Sequence, residues 1–189
     1  MSADFLNNQF LVAMPSLDDA HFAQSVTLLC EHNSGGALGL VINRPSDLSL
    51  SDMLDHIGIA VDGDGVGNRP VFWGGPVTPE RGFVLHEAAD DSDDWDASLR
   101  IGEGLAITSS RDILEAIGRG EGPRRYLVTL GYASWGEGQL EDELLDNAWL
   151  NAPSDKHILF ELDPVSRWEA AVKLLGVDVT FLSGAAGHA

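Results

Sequence analysis

The sequence predicts an α+β domain built on a mixed, largely antiparallel sheet, and three observations carry that prediction. Apolar runs of strand length cluster in the first half of the chain, and two of them face each other across a short Gly-rich connection. The helical stripes are scattered instead of alternating with strands, which argues against a doubly wound parallel sheet. The 189 residues are 44% hydrophobic and 22% charged and contain no Pro- or Ser-rich linker, so one domain spanning 1–189 with a substantial core is expected.

The strand-length runs are Phe10 to Met14, Val26 to Cys30, Leu38 to Ile42, Val71 to Trp73, Phe83 to Leu85 and Tyr126 to Leu130, each bounded by Gly, Pro, Asn or Asp. The second and third are joined by Glu31-His32-Asn33-Ser34-Gly35-Gly36, a connection suited to a hairpin. A first helix follows Ser49, with Leu50, Met53, Leu54 and Ile57 on one stripe. A second begins at Ser110 and buries Ile113, Leu114 and Ile117 before Gly118 or Gly120 ends it. A third, between Gly138 and Trp149, turns Leu140, Leu144 and Leu145 inward and leaves Glu141, Asp142, Glu143 and Asp146 as a mostly solvated face. A fourth has Asp163 as cap, Pro164 in the first turn, a face of Val165, Trp168, Val172 and Leu175, and Gly176 as terminator. The least ordered stretches should be Asp62 to Asn68 and Glu87 to Asp96.

Charge and cysteine content restrict the function classes. Thirty Asp and Glu against 11 Lys and Arg leave a formal charge of -19, and the densest basic stretch is Arg119, Arg124 and Arg125. Direct nucleic-acid binding is not expected, because a protein gripping DNA needs a local basic surface to release counterions. The lone Cys30 excludes an internal disulfide. Met1 to Met14 lacks the pattern of a signal peptide and no apolar run reaches membrane-helix length, so a cytoplasmic location without membrane contact is expected. There is no C-x-x-C, no H-E-x-x-H and no EF-hand loop, so neither metal ligands nor a cofactor is assigned. The six acids from Glu87 to Asp96 read as a hydrated loop with at most weak divalent binding.

Several residues have the chemistry for a site, each with a structural alternative beside it. Strand alternation would let Cys30 and His32 share a face as a thiolate pair, although a buried Cys closing a strand is the more ordinary arrangement. Ser134 fails the nucleophile-elbow pattern because Tyr132 stands where Gly is needed. The segment Gly131 to Gln139 reads as a strand-to-helix turn in which Gly136 and Gly138 expose amides at a helix N-terminus, a place for an anion unless Gln139 and Glu141 cap those amides. Tyr132 and Trp135 read as packing more than as stacking platforms. Asn43 and Arg44 end a strand before Pro45; Arg44 has the fork for a carboxylate or phosphate, or else a structural partner. Gly74-Gly75-Pro76 reads as a bend that lets another backbone approach. His86 ends a strand as a candidate acid or base with no partner evident from spacing.

The ordered series FLVAMPSLDDAHFAQSVTLLCEHNSGGALGLVINRP (10–45), VFWGGPV, GFVLH and GYASWGEGQLEDELLDNAWL (131–150) resembles the YqgE/AlgH family of bacterial proteins. The resemblance runs from about Phe5 through the helix carrying Trp168, with Ser134 at a position more often Gly and an acidic insert around Asp90 to Asp96. It implies a single α+β domain whose sheet is partly barrel-like and surrounded by helices, and a family commonly labelled as transcriptional regulators with no agreed catalytic residues. The expected function is therefore a non-catalytic, cytosolic regulatory or binding protein that acts through a protein or small-molecule partner and affects transcription, if at all, indirectly. The alternative is an enzyme or small-anion-binding protein with a site near Arg44, His86 and the Gly131 to Gln139 turn. A homo-oligomer is the third reading. No residue is assigned as catalytic; the candidate ligand-binding residues are Asn43, Arg44, His86, Tyr132, Trp135, Gly136, Gly138 and Gln139.

Overall fold

The computed structural model describes residues 5–63, 66–88, 95–102 and 104–176. The two stretches expected to be least ordered fall partly outside the described residues, at 64–65 and 89–94. Ten strands and five helices are described: β1 Gln9–Ala13, β2 Val26–Asn33, β3 Gly36–Val41, β4 Pro45–Ser49, α1 Leu50–His56, β5 Pro70–Trp73, β6 Val77–Glu87, β7 Ser98–Gly102, β8 Leu105–Thr108, α2 Arg111–Gly118, β9 Tyr126–Trp135, α3 Gln139–Leu145, β10 Trp149–Pro153, α4 Lys156–Phe160 and α5 Pro164–Leu174. The strands form one curled, half-barrel sheet in the order β10-β1-β2-β3-β9-β6-β8-β7, with β4 on β5 and β5 on β9. Every pairing is antiparallel except β5 with β9, so the sheet is mixed and largely antiparallel, as the sequence predicts. No helix among the described residues is long and apolar enough to cross a membrane.

The continuous apolar runs are explained by strands buried on both faces. Successive side chains alternate sides, so β1 sends Phe10 and Val12 into one core cluster and Leu11 and Ala13 into another. The first cluster lies under α5, the second joins α1 and α2 to β5 and β9 through Leu54, Val71, Ile113 and Val128, and the third seats α3 through Leu140. Caps follow the local chemistry: the Ser49 hydroxyl accepts the Asp52 amide at 3.1 Å, and the Asp155 carboxylate accepts that of Ile158 at 3.0 Å.

The strand β9 is the scaffold of the fold and departs from the sequence expectation. It continues through Gly131 to Trp135 instead of turning after Leu130, so the turn into α3 is confined to 136–138. A kink makes the extension possible. Gly131 has φ +78°, and a Cβ there would lie 2.3 Å from the Gly75 carbonyl oxygen; a Cβ on Gly75 would meet the Tyr132 backbone at 2.1 Å. Gly74-Gly75 and Gly131 thus let two backbones cross at a distance no side chain allows, which is the close approach expected of Gly74-Gly75-Pro76.

Two helix faces differ from the predicted stripes. Val165, in the first turn of α5, is 89% exposed; the buried face instead centres on Arg167, Ala171 and Val172. Arg167 is only 3% exposed and donates to the carbonyls of Leu162 and Ile42, with its guanidinium 5.2 Å from the Phe72 ring centre. Burial lowers its pKa to about 10. In α3, Leu145 is 81% exposed as the helix ends there, and Glu141 and Glu143 are drawn inward by N–H donors. That face is not simply solvated.

Candidate functional site

The candidate residues distribute over three places. Trp135, Gly136, Gly138 and Gln139 lie together at the junction of β9 and α3. Gly138 is the N-cap of α3 in a left-handed conformation, and the Gly136 amide donates to Gln139 Oε1 at 3.0 Å. Gln139 therefore occupies the donor that an anion would need, and α3 has only seven residues to supply a dipole. The indole of Trp135 is buried and donates to Glu143 Oε2 at 2.8 Å.

Asn43 and Arg44 follow β3 and act on the segment that enters β2. Asn43 accepts the Val26 amide and donates to the Gln24 carbonyl, both at 2.9 Å, so its amide stands in for a missing ladder pair. Arg44 donates to the Ala23 carbonyl and lies 6.0 Å from the Trp73 ring centre, with His21 stacked on the same ring at 5.7 Å. Its guanidinium is used structurally. Tyr132 is partly buried, packs edge-on against Phe83 at 5.9 Å and lies against the first core cluster.

His86 does not join these residues. It is 1% exposed and pairs across the sheet with Tyr126, at the opposite end of β9 from Trp135. Nine steps along a strand, at about 3.3 Å each, set the span at up to about 30 Å. Its ring nitrogens lie 2.9 Å from the Glu87 carbonyl and 2.8 Å from Thr108 Oγ1. Arg44, by contrast, is linked to the Trp135 region by a chain of rings: Trp73 to Phe22 at 6.2 Å and Phe22 to Trp135 at 6.4 Å.

Cys30 and His32 do not form a pair either. The register of β2 on β3 shifts between Leu29 and Glu31, leaving Cys30 as the extra residue of a bulge. Its thiol lies in the first core cluster against the Leu28 carbonyl, and burial, with the Glu31 charge, raises its pKa to about 12. His32 turns toward α3: Nδ1 accepts the Leu6 amide at 2.9 Å, so the ring is the Nε2–H tautomer, and Nε2 lies 2.6 Å from Glu141 Oε1. That hydrogen bond lowers the Glu141 pKa. Both ring nitrogens thus have partners other than the thiol.

Two of the openings that border these elements bear on the site. The larger, about 620 Å³, lies between α1, α2, β6 and β9; Met53, Ile57, Leu114 and Leu130 are apolar walls, and its polar lining includes Asp52, His56 and Arg111. Arg111 is held by Glu115 at 3.0 Å. The second, about 350 Å³, is a cleft lined by Trp135 and Gln139 together with Phe22, Glu143 and Trp149, three residues that sequence reasoning missed. The spacing of Trp135, Glu143 and Trp149 around one short helix was the signal available for it. Among the described residues no three His, Cys, Asp or Glu side chains converge as a metal site.

Comparison with known proteins places this architecture. A family model described as DUF179, AlgH-like, matches residues 10–180. A UPF0301 protein of Methylococcus capsulatus is 58% identical over 186 residues, covering 98% of this chain and 97% of its own length. Another from Thioalkalivibrio sulfidiphilus is 55% identical over 182 residues, with 96% of each covered. The solution structure of the AlgH protein from Pseudomonas aeruginosa superposes with a TM-score of 0.79 at 46% identity, covering 100% of this chain and 98% of that one. The crystal structure of DIP2367 from Corynebacterium diphtheriae shares the fold, with a TM-score of 0.78 at 21% identity over 97% and 94% of the two chains.

Proposed function

The chain belongs to the AlgH-like family, and from that premise we propose that it is a non-catalytic, cytoplasmic binding protein with a regulatory role, whose effect on transcription, where there is one, is indirect. The observation that carries this reading is the α1–α2 groove. Its volume lies within the range of about 300–1,000 Å³ typical of ligand sites, and Leu48, Met53, Ile57, Leu114 and Leu130 give it an apolar wall beside the polar side chains of Asp52, His56, Glu80 and Arg111. Three side chains that the sequence offers for chemistry, Cys30, His32 and His86, are instead tied into the interior.

Electrostatics supports the indirect route. Of the three arginines in the densest basic stretch, Arg119 is paired with Glu121, and Arg125 with Glu87 and Glu161. Each such carboxylate offsets part of the positive field that phosphates would need. Fluorescence anisotropy with the protein's own upstream promoter DNA and an unrelated duplex, at physiological and reduced salt, tests this; no binding is expected, and sequence-preferring binding at physiological salt refutes it. The groove is tested with a neutral solvatochromic dye. Leu114→Glu, at a half-buried wall position, should abolish dye binding while the far-UV spectrum is retained; dye binding unchanged by that variant refutes the groove as the site.

A further inference from the structure

The cleft between β9, α3 and β10 is a separate site, and its chemistry differs from that of the groove. Phe22, Trp135 and Trp149 form one continuous aromatic wall, with ring centres 5.6–6.4 Å apart in tilted and edge-to-face contacts. Beside it stands the Glu143 carboxylate. Its Oε2 accepts both indole N–H groups, from Trp135 at 2.8 Å and Trp149 at 2.9 Å, and its Oε1 accepts the Gln139 amide at 3.2 Å. Three donors from two strands' ends and one helix turn therefore hold this carboxylate in place.

The holding donors are neutral, so they orient the negative charge without cancelling it. Among the described residues Glu143 has no Lys, Arg or His within ion-pair distance, and none lines the cleft. Asp19 contributes a second carboxylate, whose Oδ1 accepts the amides of His21 and Phe22. Aromatic faces attract cations through the ring quadrupole, and a fixed carboxylate adds a direct charge. An anion meets both as repulsion.

We propose that this cleft binds an organic cation: an alkylammonium head whose charge faces Glu143 and Asp19 and whose methylene stem lies along Trp135, Trp149 and Phe22. A volume of about 350 Å³ accommodates a head and a short stem. The ammonium belongs either to a free amine or to a lysine side chain of a partner, and the two share the recognition chemistry. This site is independent of the α1–α2 groove, so either can fail without the other.

The test is an NMR titration of the intact protein, following the indole N–H resonances of Trp135 and Trp149. The probes are n-butylammonium, tetramethylammonium, and the uncharged and anionic comparators n-butanol and n-butyrate. Saturable shifts are expected with the two cations, at an affinity at least about tenfold above the comparators. Glu143→Gln keeps an oxygen for the indoles and should weaken the cations by a similar factor; Asp19→Asn, which keeps the turn acceptor, decides the matter if Glu143→Gln does not fold. A blocked lysine in a short peptide, binding more tightly than n-butylammonium, assigns the site to a partner's side chain; the reverse order assigns it to a free amine. Equal shifts with butanol and butylammonium, no shift with any cation, or cation affinity unchanged in a folded variant lacking the carboxylate overturns the proposal.

Discussion

Substituting Gly131 tests the backbone crossing that shapes β9. At φ +78°, an alanine costs about 1–2 kcal/mol for its left-handed conformation alone. The added Cβ would also lie 2.3 Å from the Gly75 carbonyl oxygen and 3.3 Å from Pro79 Cα. Both neighbours are backbone, so relief requires moving β6 or the 74–76 bend, an overpacking cost of about 1–3 kcal/mol. Gly131→Ala should therefore destabilise by about 2–5 kcal/mol. Gly120 supplies the control: its φ is +76°, but nothing lies within 4 Å of a Cβ, so Gly120→Ala isolates the conformational term of about 1–2 kcal/mol. Urea denaturation at fixed pH measures both, and each kcal/mol corresponds to about 2–4 °C in Tm for a chain of this length. Equal losses for the two variants would refute the close crossing, since the conformational term is common to both.

The remaining predictions concern single groups. Cys30, buried with its pKa raised to about 12, should resist iodoacetamide at pH 8 in the native state and react fully in urea; rapid native labelling would show the β2 bulge to be open. Glu141 is held below the usual carboxylate range by His32. Its stabilising contribution is complete above the unfolded value of 4.5 and is lost as pH falls through the lower folded one. Its side chain is 44% exposed, so solvent screening limits the effect to about 1 kcal/mol or less; Glu141→Gln should flatten the urea-midpoint profile between pH 5 and 3. Arg167→Ala removes the donors to the carbonyls of Leu162 and Ile42 and should cost about 2–6 kcal/mol by urea denaturation.

All six strands read from apolar runs are present, because strands buried on both faces advertise themselves by composition. Those that escaped are β4, β7, β8 and β10. Pro45–Ser49 reads PSDLS, with low strand propensity, and becomes a strand only by pairing with β5. The β9 extension was hidden by its glycine, which looks like a turn unless the partner backbone at Gly75 is known. Cys30 and His32 were placed on one face by strict alternation, which a one-residue bulge defeats. Of the cleft, Trp135 and Gln139 were legible; Phe22 was not, because it reaches three tryptophans from an irregular segment whose path depends on tertiary contacts.

The position of Gly131 bears on how variants in the two openings are interpreted. Leu130, immediately before the kink, lines the α1–α2 groove, whereas Ser134 and Trp135, just after it, line the aromatic cleft. One strand therefore borders both sites, and its path between them is set by a glycine that belongs to neither. A substitution there shifts Leu130 and Trp135 together, so loss of binding at both sites from Gly131→Ala reports on the scaffold. Loss at one site alone, as expected for Leu114→Glu or Glu143→Gln, reports on chemistry. Because those two side chains are partly exposed and lie outside the crossing, their variants should cost less stability than Gly131→Ala, which urea denaturation of all three measures. That separation of stability from binding is what makes the two sites distinguishable by experiment.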